Sequence, residues 1–185
     1  FWFVLADLLG SGLDYKAYSF NWVTVGDTNI TWGVMVDKLS VVMLGLVTFV
    51  AFLVQVYSLE YRRGDPRYGW YFAVHALFAA AMLALVLADN LLFLYFAWEI
   101  VGLGSYLLIG FWWERKSAAE AAKKAFITTR IGDVGLLIGI ILLFKATGTF
   151  EISTIIEMAQ AGEISIGTIT ASSLLIFMGA MGKSA

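Results

Sequence analysis

The sequence predicts an all-α fold: a polytopic transmembrane helix bundle of about five spanning helices, preceded by the end of another and carrying a β-hairpin on its outer face. Three observations lead there. Hydrophobic residues fill 61% of the 185 positions and charged residues only 14%, well short of the roughly 25% charge of a soluble domain. Mean hydropathy is +0.83. The apolar residues are also gathered into five long blocks, each close to the roughly 20 residues a helix needs to cross a hydrocarbon core about 30 Å thick.

Residues 1–9 (FWFVLADLL) read as the end of a spanning helix. No initiator Met and no basic stretch precede them, so no signal peptide is read and the chain looks like an internal piece of a longer polypeptide. Residues 10–33 are polar and aromatic, an extracytoplasmic loop. Alternation at Phe20–Val25 and Asn29–Trp32 around Gly26-Asp27 predicts a β-hairpin lying on the membrane surface. Residues 34–185 then form the N-terminal half of a transmembrane bundle that is truncated here.

The first full span, Leu39–Leu59, has no charge, and Tyr68–Ala88 has His75 as its one ionisable group besides tyrosines. Asn90–Trp113 is interrupted by Glu99 alone. Ala121–Phe144 begins with Lys123 and Lys124 and contains Arg130 and Asp133, and Ile164–Ala185 carries Lys183. Between the last two spans, residues 147–163 are rich in Thr, Gly and Glu, with Ile152, Ile155, Ile156 and Ala159 spaced for a short amphipathic helix.

Positive charge orients this bundle. Arg62, Arg63 and Arg67 follow the first span, and Arg115, Lys116, Lys123 and Lys124 follow the third. Lysine or arginine excess marks cytoplasmic connections, so the hairpin and the Glu-bearing 147–163 segment face outward. Trp112, Trp113, Tyr61, Trp70 and Tyr71 fall at the predicted interfaces as aromatic belts.

Several function classes are excluded. With no cysteine and one histidine, the chain has no disulfide, thiolate metal site, Cys-ligated iron–sulfur cluster or Cys nucleophile. A net charge of −2 gives no nucleic-acid signature. Gly182-Lys183-Ser184 resembles the end of a phosphate-binding loop, but the pattern's first Gly position is Phe177 and no strand precedes it. Gly135 and Gly139, like Gly102, Gly104 and Gly110, fit close helix packing. His75 reads as a packing residue.

The charges inside the spans carry the functional signal. A Lys, Arg or Asp at the bilayer centre costs roughly 2.5–3.5 kcal/mol, and such residues usually face protein or water and do work. Helical rise places Glu99, Arg130, Asp133 and Lys183 all near the midplane, as a buried polar line. Arg130 and Asp133, three residues apart, can pair on one face. Glu99 and Lys183 each need a partner on another helix, and pairing with one another is the economical expectation. Fixed ion pairs that merely hold the bundle together are the competing reading, strongest for Arg130–Asp133.

At Val36–Leu44 (VDKLSVVML), 87–110 (LADNLLFLYFAWEIVGLGSYLLIG), 124–135 (KAFITTRIGDVG) and 179–185 (GAMGKSA), with the hairpin stretch WVTVGDTNI, the chain resembles the antiporter-like L subunits of respiratory complex I, called subunit 5 in mitochondria. The likeness runs in order over nearly the whole chain but covers a minor part of a full member. It implies that Glu99 is the family's glutamate and Lys183 its lysine on a discontinuous helix, with Arg130 and Asp133 on an RxGD stretch. Ile100 departs from the family pattern, which has Gly after the Trp-Glu pair.

The resemblance further implies a proton-translocating subunit of an NADH–quinone oxidoreductase, with Glu99, Lys183, Asp133 and Arg130 as a proton relay. Such a chain holds no cofactor of its own: NADH, FMN, iron–sulfur clusters and quinone belong to other subunits. Its expected partners are the other membrane subunits, above all a neighbouring antiporter-like one, and the bilayer of an energy-transducing membrane such as the bacterial inner membrane. Two rivals remain: the large subunit of a multisubunit sodium/proton antiporter, and a scaffold subunit whose charges only hold it together.

Overall fold

The computed structural model describes residues 10, 15–26 and 28–184. The expected helix end at 1–9, Asp27 of the hairpin turn and Ala185 lie outside the described residues. The chain runs as an antiparallel hairpin, β1 (Tyr15–Val25) and β2 (Thr28–Asp37), followed by six helices. These are α1 (Lys38–Tyr61), α2 (Tyr68–Val86), α3 (Leu91–Ile109), α4 (Lys116–Thr147), α5 (Ile152–Gln160) and α6 (Ile166–Ser184). Among the described residues, α1, α2, α3, α4 and α6 are long and apolar enough to cross a membrane. The molecule is therefore the expected polytopic helical membrane protein, with its small hairpin.

Local chemistry sets the element ends. Gly26 takes φ +60° at the hairpin turn, and the register slips at Asn21/Val23, a bulge that twists the ribbon. Strand β2 runs past residue 33 to Asp37, whose carboxylate then caps α1 by accepting from Ser40 N (2.6 Å) and Ser40 Oγ (2.7 Å). Asn90 caps α3 in the same way, accepting from Phe93 N at 2.7 Å. The last turn of α4 ends at Gly148, left-handed at φ +73°. Helix α4 has 32 residues, about 48 Å, and Lys116 to Glu120 at its start extend the predicted span beyond the apolar core.

Connections sort to two ends. At one, β2 bonds to the α2–α3 link through Met35 N to Leu87 O (2.8 Å), and Asn90 Nδ2 donates to Thr31 O at 3.0 Å. The same link meets the α4–α5 connection through Leu91 N to Phe150 O (2.9 Å) and Ile152 N to Asp89 O (3.1 Å). At the other end, Arg67 of the α1–α2 link donates to the carbonyl of Phe111, in the α3–α4 link, at 2.8 Å. The hairpin, the 87–90 link and α5 thus share one face, opposite the two arginine-bearing links, which is the segregation that charge patterning predicts.

The tightest seam joins α4 to α6. A Cβ on Gly132 would sit 3.0 Å from Gly182 Cα, and one on Gly139 2.9 Å from Ser172 O. Only glycine lets these backbones touch, the close approach that helix pairs in lipid use in place of a hydrophobic drive. Gly104 plays the same part for α2 and α3, with Phe78 3.1 Å from its would-be Cβ. Helix α1, by contrast, leaves Phe49, Phe52, Leu53 and Val56 exposed, as a lipid-facing helix does.

Candidate functional site

Three helices bring the four expected residues together. Helix α3 carries Glu99, α4 carries Arg130 and Asp133 one turn apart, and α6 carries Lys183. The glycine seam brings α6 against α4, and Gly102 of α3 keeps the space beside Lys183 open: a Cβ there would lie 3.5 Å from Nζ. Asp133 is buried, and Glu99, Arg130 and Lys183 are partly so. The P-loop-like Gly182-Lys183-Ser184 is continuous helix.

The pairing differs from the expected one. Glu99 forms its ion pair with Arg130, not with Lys183. Arg130 Nη1 also lies 3.8 Å from Asp133 Oδ2, so one guanidinium spans two carboxylates on two helices. The reason is geometric: a planar fork on a long stem satisfies several acceptors at once, where an ammonium acts as a point charge. With Glu99 engaged, Lys183 has no carboxylate of the described residues within ion-pair distance. Its ammonium donates to the backbone carbonyl of Trp98 at 2.7 Å and lies 4.6 Å from the centroid of that indole.

Trp98 is the residue that sequence reasoning missed. Its Nε1–H donates to Asp133 Oδ1 at 2.6 Å, so the four charges form one connected row, Glu99–Arg130–Asp133–Trp98–Lys183. The signal available was weak: an indole next to Glu99 in an apolar helix looks like packing. Ile100, at the departure from the family pattern, is half-buried beside the row without breaking it.

A groove of about 470 Å³ runs from the hairpin to Glu99, lined by Trp22, Trp32, Asn90, Tyr95 and Phe96 among others. Its lining thus joins residues of the hairpin to the carboxylate end of the row. At the head of α3, Asp89 is buried, and desolvation pushes its carboxyl above the usual range against the opposing pull of its Asn90 hydrogen bond. His75 is also buried, with Gln55 Nε2 3.4 Å from Nδ1 and Tyr71 stacked nearby.

This fold and this row of intramembrane charges point to a class, the antiporter-like subunits of membrane complexes. The family described as NADH:quinone oxidoreductase/Mrp antiporter, transmembrane region, matches residues 88–185, and that of the complex I chain 5 N-terminus matches residues 22–72. The chain belongs to this family of antiporter-like subunits, and its first part carries the chain 5 N-terminal pattern.

Individual relatives agree. The chain is 47% identical to NAD(P)H-quinone oxidoreductase subunit 5 from the organellar chromatophore of Paulinella chromatophora, over 98% of this chain and 28% of that one. It is 42% identical to NADH-quinone oxidoreductase subunit L of Mycobacterium tuberculosis, over 98% of this chain and 29% of that one. Among solved structures, the Mrp complex from Dietzia sp. contains a chain that superposes with a TM-score of 0.83 at 28% identity, covering 98% of this chain and 20% of that one. The chain thus spans under a third of the length of the curated relatives it matches.

Proposed function

We propose that this chain is part of a proton-translocating membrane subunit of an NADH–quinone oxidoreductase, moving protons along the row Glu99–Arg130–Asp133–Lys183 while electrons pass through other subunits. The observation that carries the reading is Lys183: an intramembrane ammonium with no carboxylate of the described residues in ion-pair distance, held by a backbone carbonyl and a ring. A lysine in such a place can exist neutral, which an arginine cannot, so it is the cation suited to giving up and regaining a proton. Shifting Glu99 between Arg130 and Lys183 would load and unload it. Each charge moved against 100 mV requires about 2.3 kcal/mol, and an ion-pair exchange in a low-dielectric slab is of that order.

In this reading NADH, FMN, iron–sulfur clusters and quinone are bound by other subunits, and neighbouring membrane subunits flank the bundle. The arginine-bearing links face the cytoplasm of an energy-transducing membrane, the hairpin the outside. A second reading, the large subunit of a multisubunit sodium/proton antiporter, is favoured by the likeness to the Mrp structure. Identity of 42% and 47% to quinone oxidoreductase subunits, against 28% there, supports the first.

The test is proton uptake against NADH oxidation in vesicles holding the full complex. Lys183→Arg keeps charge but stays protonated through every state, so it is expected to assemble and to lose translocation. A wild-type ratio of protons to electrons in that variant would make Lys183 a structural counter-charge. Impermeant cysteine labelling at positions 63 and 157 is expected to occur from opposite sides, and labelling from one side would break the topology.

A further inference from the structure

We propose that Trp98 is a positioning residue that holds the Lys183 ammonium on α3, apart from Glu99, and ties it to the hydrogen bond that Asp133 accepts; the proposal rests on the proton-relay reading of Lys183. Trp98 makes three contacts with two charged residues on two other helices. Its backbone carbonyl oxygen accepts from Lys183 Nζ at 2.7 Å, its ring faces the same nitrogen at 4.6 Å, and its Nε1–H donates to Asp133 Oδ1 at 2.6 Å. Any residue at this position would offer the carbonyl, but a packing residue requires neither of the two indole contacts.

The contacts also reinforce one another. A carboxylate at the N–H edge pushes electron density into the π-system, and a cation over the face draws on that density. Asp133 is 2% exposed and its Arg130 contact, at 3.8 Å, is longer than a hydrogen bond, so the indole N–H is the close donor to that carboxylate. Glu99 is taken by Arg130, which leaves the ring and carbonyl of Trp98 in the place a counter-ion would fill. A neutral amine has no comparable attraction to the ring. Loss of the Lys183 proton therefore frees the indole, and with it the hydrogen bond to Asp133. The proton occupancy of α6 is in this way felt on α4 through one side chain of α3. The charged and titratable groups facing this unit are Asp133 and Arg130 from α4 and Glu99 from α3, with Tyr95 of α3 in electrostatic reach of the α4 pair.

The experiment uses the assembled complex with the full-length subunit in vesicles, and reads protons moved per electron as a function of pH. Two substitutions at position 98 are compared with Lys183→Arg: Trp98→Phe, and ring-fluorinated tryptophan incorporated at that position alone. Fluorination keeps shape and N–H while draining the ring face, so a purely structural role would leave the profile in place. The expected result is that the alkaline fall-off of pumping moves to lower pH, by about one unit for the heavily fluorinated indole, and that Trp98→Phe moves it in the same sense. An unmoved profile with the fluorinated residue overturns the assignment of Trp98 even if Lys183→Arg is inactive. Normal pumping by Lys183→Arg overturns the relay reading itself, and the role of Trp98 with it.

Discussion

Two arginine sites on this chain are housed in opposite ways. At the arginine-bearing end of the bundle, Arg62 lies 4.2–5.2 Å from the centroids of four rings, Tyr61, Tyr71, Phe111 and Trp112. Its Nε is buried without a hydrogen-bond partner. Arg67 sits 4.2 Å over Trp113, donates to the Phe111 carbonyl and reaches the exposed Glu114. Midway along α4, Arg130 also has a ring, Phe126 at 4.4 Å, yet it is clasped by Glu99 and sits within reach of Asp133. Near the interface, water and headgroups are close, and rings seat each cation together with a carboxylate of the adjoining links, Asp65 at 3.7 Å from Arg62 and Glu114 at 3.0 Å from Arg67. Inside the slab the two carboxylates around one guanidinium come instead from two spanning helices. What holds the loops together at one site is therefore cheap to alter, and what neutralises the charge at the other is not.

The largest effect is expected at the buried carboxylate. Asp133→Leu removes the buried carboxylate near Arg130 and leaves the Trp98 N–H without its acceptor, at a cost of about 3–5 kcal/mol, the usual result of breaking a buried pair by one partner. Reversible unfolding of the full-length subunit in mixed detergent measures it, and a loss below about 1 kcal/mol would erase the contrast between the two arginine sites. Next comes the seam that assembles the row. Gly132→Ala drives a methyl against Gly182 Cα and is expected to cost about 1–3 kcal/mol and to lower pumping, because it moves Lys183 away from Trp98.

Arg67→Ala is expected to be milder, about 1–2 kcal/mol from the lost carbonyl bond and ring contact, with the ratio of protons to electrons unchanged. A changed ratio would tie the loop cluster to the relay. The smallest effect is at Asp89. Its carboxyl is raised by burial, so the folded protein favours its protonated form. Its contribution is fully present below the unfolded value and is lost as pH rises through the folded one. Asp89→Asn removes that loss while keeping the acceptor for Asn90, so the melting temperature near neutral pH is expected to hold or rise, and a fall would break this reading.

Much of this was legible in the residues. The spans declare themselves because lipid demands unbroken apolar runs, and the hairpin because a Gly-Asp turn separates two alternating stretches. Residues 34–37 were missed as strand because Val34, Met35 and Val36 merge with the apolar start of α1, where neither period stands out. The first turn of α4 was missed for the opposite reason: Lys116–Glu120 is too polar for a hydropathy reading, although its alanines and the Lys116–Glu120 spacing favour helix. All four charges of the row were located from their place in apolar spans alone. Their pairing was not, because sequence gives depth along a helix but not the angle at which one helix faces the next. Trp98 shares that difficulty, since adjacent helical positions point about 100° apart.

The backbone contact between Gly132 and Gly182 also limits which motions are open to the row. Rolling α6 about its own axis by a fraction of a turn would carry a side-chain-bearing position into a gap that admits none. Close-packed interfaces of this kind switch between discrete arrangements rather than deform continuously. The mobile part near Lys183 is then its own four-carbon stem, which changes rotamer on a picosecond-to-nanosecond scale, far faster than the microsecond-to-millisecond shifts of whole helices. Helices α4 and α6 thus form a close-packed frame beside which the lysine side chain, not the backbone, is the part free to reorient.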